Sequence, residues 1–155
     1  MGAFTIQIDG DVQLARRLSR FSAGVRDFRP AWEQIVSQVE RIEEEQFSSQ
    51  GAHGSGGWQP LSPAYAAWKA RNFGGGGILV RTGRLRSSLT RRNPDSIREV
   101  RPLELRFGTR VPYAAFHQRG TRALPERKPI ELSEGDRREI VRTLQRYLVG
   151  LARHG

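Results

Sequence analysis

The residue types that carry catalysis are sparse in this sequence and poorly spaced for it. The histidines are His53, His117 and His154, far apart in the chain. None stands at metal-ligand spacing with another His, Asp or Glu, and no HExxH helix is present, so a zinc site has no donor set. The absence of Cys removes thiolate chemistry and any disulfide framework. Gly54-Ser-Gly-Gly57 does not make a nucleophile elbow, because no strand leads into Ser55. The run Gly74 to Gly77 lacks the Lys-Ser/Thr that a phosphate-cradling loop requires. Paired carboxylates occur only in the Glu43–Glu45 run, which reads as a solvated helix face, where acid–base catalysis would need isolated, desolvated groups. His117 follows Phe116 on a short helical turn and reads as a hydrogen-bonded structural histidine. The sequence therefore predicts no catalytic, cofactor-binding or metal-binding residue, and no enzyme.

What the chain does carry is charge. It has 155 residues with a formal net charge of +10, nearly all of it arginine, since Lys69 and Lys128 are the only lysines. Such a surface attracts polyanions or acidic proteins. The positive charge concentrates between Arg81 and Arg110, with Arg81, Arg84, Arg86, Arg91 and Arg92 around a short helix. These five are the candidate contacts to double-stranded DNA in a lumen or to an acidic partner. The stretch lacks interleaved aromatics for base stacking and lacks a recognition helix. Any contact with DNA would be independent of its sequence.

The elements that would position these groups follow from apolar period and punctuation. Phe4, Ile6 and Ile8 alternate with polar residues as a half-buried strand. Asp11 caps a predicted helix through Phe21. Pro30 opens a second helix whose Trp32, Ile35, Val36, Val39, Ile42 and Phe47 recur at three- and four-residue steps. Residues 48–58 form a Gly/Ser-rich flexible loop, closed by a Trp58 that folds back onto the core. Ser62-Pro63 starts a short helix with Tyr65 and Trp68 on one face, followed by a second flexible loop near residues 72–78. Thr82 is the expected cap of the helix carrying Leu85 and Leu89. Ile97, Val100, Leu103, Leu105 and Phe107 mark a hairpin interrupted near Pro102, and Pro112 starts a helical turn through Gln118. Ser133 with Asp136 forms a shortened capping box before a long C-terminal amphipathic helix with Ile140, Leu144, Tyr147, Leu148 and Leu151 as its stripe. The fold class is α+β, a small antiparallel sheet packed with several helices in one domain, residues 1–155. No apolar run approaches the roughly 18 residues that would span a bilayer, and the N-terminus has no secretory pattern. A soluble bacterial cytoplasm is the expected compartment.

Three stretches occur in a fixed order: Trp58-Gln-Pro-Leu-Ser-Pro-Ala-Tyr65, Ile78-Leu-Val-Arg-Thr-Gly-Arg-Leu-Arg-Ser-Ser-Leu89, and Phe107-Gly-Thr-Arg-Val-Pro-Tyr-Ala-Ala-Phe-His-Gln-Arg-Gly-Thr121. With Pro125 to Pro129 and Leu132-Ser-Glu after them, they resemble the phage virion morphogenesis, or tail completion, family over roughly residues 30 to 150. Each stretch alone is weak, and their order together is specific. The resemblance implies a structural virion protein at the head–tail junction of a tailed bacteriophage, assembled in the host cytoplasm. It further implies a homo-oligomeric ring, commonly six-fold, that terminates the tail tube and meets the head connector and neck proteins. The two Gly-rich loops would contact neighbouring subunits or the tube. The alternatives are a basic DNA-binding factor acting in packaging and an assembly-only factor. Gly108, Pro112, Tyr113, Phe116, His117 and Gly120 form the expected scaffold signature, with Val111, Tyr113 and Phe116 as anchors and Gly108 and Gly120 permitting tight reversals.

Overall fold

The computed structural model describes residues 4–9 and 27–154. The helix expected between Asp11 and Phe21 lies outside them. The described elements are β1 (Phe4–Asp9), α1 (Arg29–Ser48), α2 (Ala52–Ser55), α3 (Pro63–Phe73), α4 (Arg84–Thr90), β2 (Ser96–Arg101), β3 (Glu104–Thr109), α5 (Ala114–Arg119) and α6 (Glu134–His154). Helices segregated from one antiparallel sheet make the α+β class that the sequence predicts.

The sheet order is β1-β3-β2, with the hairpin's second strand in the centre. Residues directly opposite one another in an antiparallel ladder share a face. The register therefore sets Ser96, Arg98 and Val100 beside Thr109, Phe107 and Leu105, and on β1 it sets Phe4, Ile6 and Ile8 opposite the same three β3 positions. On β2 and β3 this is the inner face. The outer face carries Glu99 opposite Arg106, paired at 2.8 Å. Leu103 does not belong to either strand: it sits with Pro102 in the two-residue turn and is exposed.

Helix α1 lies against the inner face and α4, and its predicted stripe is buried throughout. Phe47 meets Trp58 edge-on with ring centroids 5.4 Å apart, and Trp58 donates its indole N–H to the Lys128 carbonyl at 3.0 Å, so this tryptophan folds back as expected. Gly51, at φ +84°, leaves the space that the Trp58 ring fills. Helix α6 packs on α1 through Ile140, Leu144 and Leu148. Leu151, expected in the same stripe, is exposed in the last turns.

Residues 48–58 are not a free linker. Gly54 donates its amide to Gln46 Oε1 at 3.0 Å, Ser55 its hydroxyl to Glu131 at 3.0 Å, and His53 Nε2 lies 2.8 Å from Asp136 Oδ2. The hydroxyl of Ser55 thus goes to a carboxylate and not to a histidine. The second loop is held as well. Lys69 Nζ donates to the Gly77 carbonyl at 2.5 Å, and the Ile78 amide donates to Gln50 Oε1.

The capping box forms as predicted: the Ser133 amide and hydroxyl both donate to Asp136 Oδ2 at 2.7 Å, and the Asp136 amide donates back to Ser133 Oγ. Burial acts to raise the Asp136 pKa, but the Ser133 donors and His53 outweigh it and hold the carboxyl below its ordinary value. Depressed in the folded state, the group contributes stability that is present above the unfolded carboxylate value and lost as pH falls through the folded one. Asp136→Ala should cost about 1 kcal/mol at neutral pH and less in acid, read as urea midpoints. Equal losses at both pH values would contradict this assignment.

Candidate functional site

The short helix α4 begins after Gly83, not on a Thr82 cap. Gly83 occupies the cap position at φ +81°, and Thr82 Oγ1 only approaches the Arg84 amide, at 3.4 Å. Leu85 and Leu89 are buried as expected, and they aim the arginines of the helix apart from one another. Arg86 pairs with Glu44 and Arg92 with Glu33, both on α1. Arg84 binds Asp95 through two bonds of 2.8 Å. Arg81 lies over the Phe73 ring at 5.4 Å. Arg91 is exposed and forms no ion pair among the described residues. The five candidates are therefore not one basic surface: Arg86 and Arg92 pin α4 to α1, while Arg81 and Arg84 turn toward a groove.

That groove has a volume of about 620 Å³. Each of the three stretches that the sequence singled out contributes to its walls, joined by Lys69 and by residues that follow Thr121. Gln59 to Ser62 with Tyr65 and Lys69 form one side, Leu79 to Leu85 the second, and Tyr113, His117, Ala123, Leu124, Pro125 and Arg127 the third. Ser62 caps α3 by accepting the Tyr65 amide, which fixes the angle at which α3 leaves the groove wall. On the far wall, Gly120 at φ +69° permits the close reversal that brings residues 124–126 back: a Cβ there would stand 2.9 Å from the Glu126 nitrogen. Gly108 has a different role from the one expected, since it lies within β3 opposite Ile97 rather than at a reversal. Val111 is buried and Tyr113 half-buried, as anchors should be. Phe116 is 53% exposed and anchors nothing. The solvent-facing Pro112 opens the turn that leads into α5.

The groove is cationic. Lys69, Arg81, Arg84 and Arg127 line it, and no carboxylate does among the described residues. Two of the four are buried, Lys69 at 3% and Arg127 at 6% exposure. Arg127 donates to the carbonyls of Gln59 at 2.6 Å and Pro60 at 3.0 Å. Lys69 likewise finds only the carbonyls of Gly76 and Gly77. Neither has a carboxylate within ion-pair distance among the described residues. Burial lowers the pKa of both below their ordinary values. His117 is also pulled down, first by burial and then by Arg127. His117 is not the hydrogen-bonded histidine that the sequence predicts: its ring packs edge-on to Tyr113, 6.2 Å between centroids, and Nδ1 is buried without a hydrogen-bond partner among the described residues.

Beside the groove runs an exposed aromatic strip on α3. Tyr65 stacks on Trp68 at 5.5 Å, and Trp68 meets Phe73 at the same separation. Contiguous exposed aromatics of this kind mark protein contact surfaces. Neither Arg127 nor Lys69 was singled out by charge spacing. Their type was visible in the sequence, but their burial follows from loops that meet only in the fold.

Among the described residues no group of His, Asp and Glu side chains could hold a metal ion, and no helix is long and apolar enough to cross a membrane. Compared with protein-family models, residues 9–149 match the phage virion morphogenesis family. No curated protein and no solved structure matches the chain.

Proposed function

The chain belongs to the phage virion morphogenesis family, and on that premise we propose that it is a tail completion or terminator subunit, a structural part of the particle and not an enzyme. Membership gives the chain a structural or morphogenetic role in a phage. Copies of such a subunit close into a ring, six-fold by expectation, at the head–tail junction. The ring caps the tail tube and joins it to the head connector. The family match over residues 9–149 carries this reading. The convergence of the three sequence stretches on one groove supports it, as does the aromatic strip exposed along α3. A surface repeated identically around a closed cyclic assembly must meet a different patch on its neighbour, and the two sides of such a contact need not resemble each other.

Mass measurement of the purified protein mixed with tail tubes tests this. A closed ring seated on the tube ends is the expected species, and a protein that stays monomeric and ignores the tubes would contradict it. The alternative of a packaging-stage DNA binder makes a different prediction. Arg84, Arg86 and Arg92 are already paired with Asp95, Glu44 and Glu33, so of the five candidate arginines only Arg81 and Arg91 lack a carboxylate partner among the described residues. Binding to free duplex should fall to a negligible level at physiological salt. Micromolar or tighter affinity there, with a steep salt slope, would favour the DNA reading.

A further inference from the structure

We propose that the groove receives an acidic peptide segment of another protein, carrying an apolar or aromatic side chain that sits against the Tyr65–Trp68 face. The inference names the partner chemistry of the site just described, and rests on that reading only for the partner being another component of the particle.

Charge argues for the acid. Among the described residues, Lys69 and Arg127 are buried, satisfied by backbone carbonyls alone, and face a groove that no carboxylate lines. Buried cations are ordinarily paired with an anion. Here the described fold leaves the counter-charge to an occupant. In a half-enclosed site the attraction is less screened than on an open surface.

The occupant is a peptide rather than a phosphate backbone because of where the donors point. Phosphate recognition uses N–H groups directed at the ligand. The guanidinium of Arg127 and the ammonium of Lys69 already donate inward to carbonyls, so they offer a field, not a fork. The lining also offers apolar surface from Leu79, Val80, Leu124, Pro125 and the ring of Tyr65.

The occupant comes from a different protein because this chain has little acid to give. Most of its exposed carboxylates are engaged, among them Glu33 with Arg92, Glu44 with Arg86 and Glu126 with Lys128. Among the described residues only Glu134 and Glu139 are exposed carboxylates without a partner. Both lie on regular turns of α6, not in an extended segment.

A random dodecapeptide display library, selected on the full chain, tests the proposal. The expected winners are rich in Asp and Glu and contain an aromatic or aliphatic residue. Arg81→Glu should weaken a winner at least tenfold, and Tyr65→Ala severalfold. Arg142→Glu makes the same change of net charge on exposed α6 and should leave affinity within twofold. No enrichment, acid-poor winners, equal losses for R81E and R142E, or displacement of the peptide by a short DNA duplex would each overturn the inference. A chain that forms rings on tail tubes yet enriches no acidic peptide would overturn it and leave the ring reading intact.

Discussion

Replacing Arg98 by Met should lower stability by about 3–5 kcal/mol, the cost of breaking a buried ion pair from one side. The Arg98 side chain is 4% exposed. Its guanidinium pairs with Glu40 at 3.0 Å and lies over the Phe107 ring at 3.7 Å. It also donates to the carbonyls of Ile97 and Gly108 in the sheet and of Ser88 and Leu89 at the end of α4. One side chain thus ties α1, α4, β2 and β3 together. Met fills much of the same volume but removes the guanidinium donors from these carbonyls and from the half-buried Glu40, while Ser88 keeps only the Ser96 hydroxyl. Arg98→Lys should recover only part of the loss, since an ammonium cannot reach carbonyls on both sides of the sheet end at once. Urea unfolding checks this: the midpoint should fall with the slope unchanged. A loss below about 1 kcal/mol would show that the network contributes little beyond its packing.

The second large effect concerns Glu43, and its sign is opposite. The carboxyl is fully buried on α1, with both oxygens lacking a hydrogen-bond partner. Burial pushes its pKa well above the ordinary 4.5; Arg98 acts against the rise and Asp136 adds to it. The folded chain therefore keeps a proton that the unfolded chain releases above about pH 4.5. The stability associated with the neutral acid is fully present below that pH and is lost as pH rises toward the folded value. The slope approaches about 1.4 kcal/mol per pH unit. Glu43→Gln keeps the shape and removes the titration. It should stabilise the protein at pH 7 relative to the native chain and flatten the pH dependence from mild acid upward. Denaturation at several pH values measures it, and parallel curves for the native chain and E43Q would contradict the assignment.

The position of Glu43 shows how the sequence can mislead. A run of glutamates suggests a wetted face, yet position 43 lies four residues after Val39 and four before Phe47, on the buried stripe. Period carried the information, and residue type obscured it. Elsewhere local signals were sufficient. The spacing of Trp32 to Phe47, the Ser62-Pro63 start, the Ser133–Asp136 box and the hairpin around Pro102 all depend on neighbours within a turn or two, and all formed. Signals that fail are those that depend on distant partners. The arginines around α4 read as one basic patch because Glu33 and Glu44 are some forty to sixty positions earlier in the chain. Phe116 and Leu151 look like core residues by type, but no element covers them among the described residues. The groove itself was not legible as a groove. Its three contributing stretches were each visible, and the family resemblance gave their order, but only the packing of α3, α4 and the loop after Gly120 brings them to one opening.

The most direct test of the ring assignment is a reconstruction of the neck of the mature particle at a resolution that traces chains. The account predicts copies of this chain in a closed ring between tail tube and head connector, with the groove lined by Lys69 and Arg127 occupied by a segment of another protein. A mature particle that lacks this chain, or that carries it anywhere other than the head–tail junction, would contradict it.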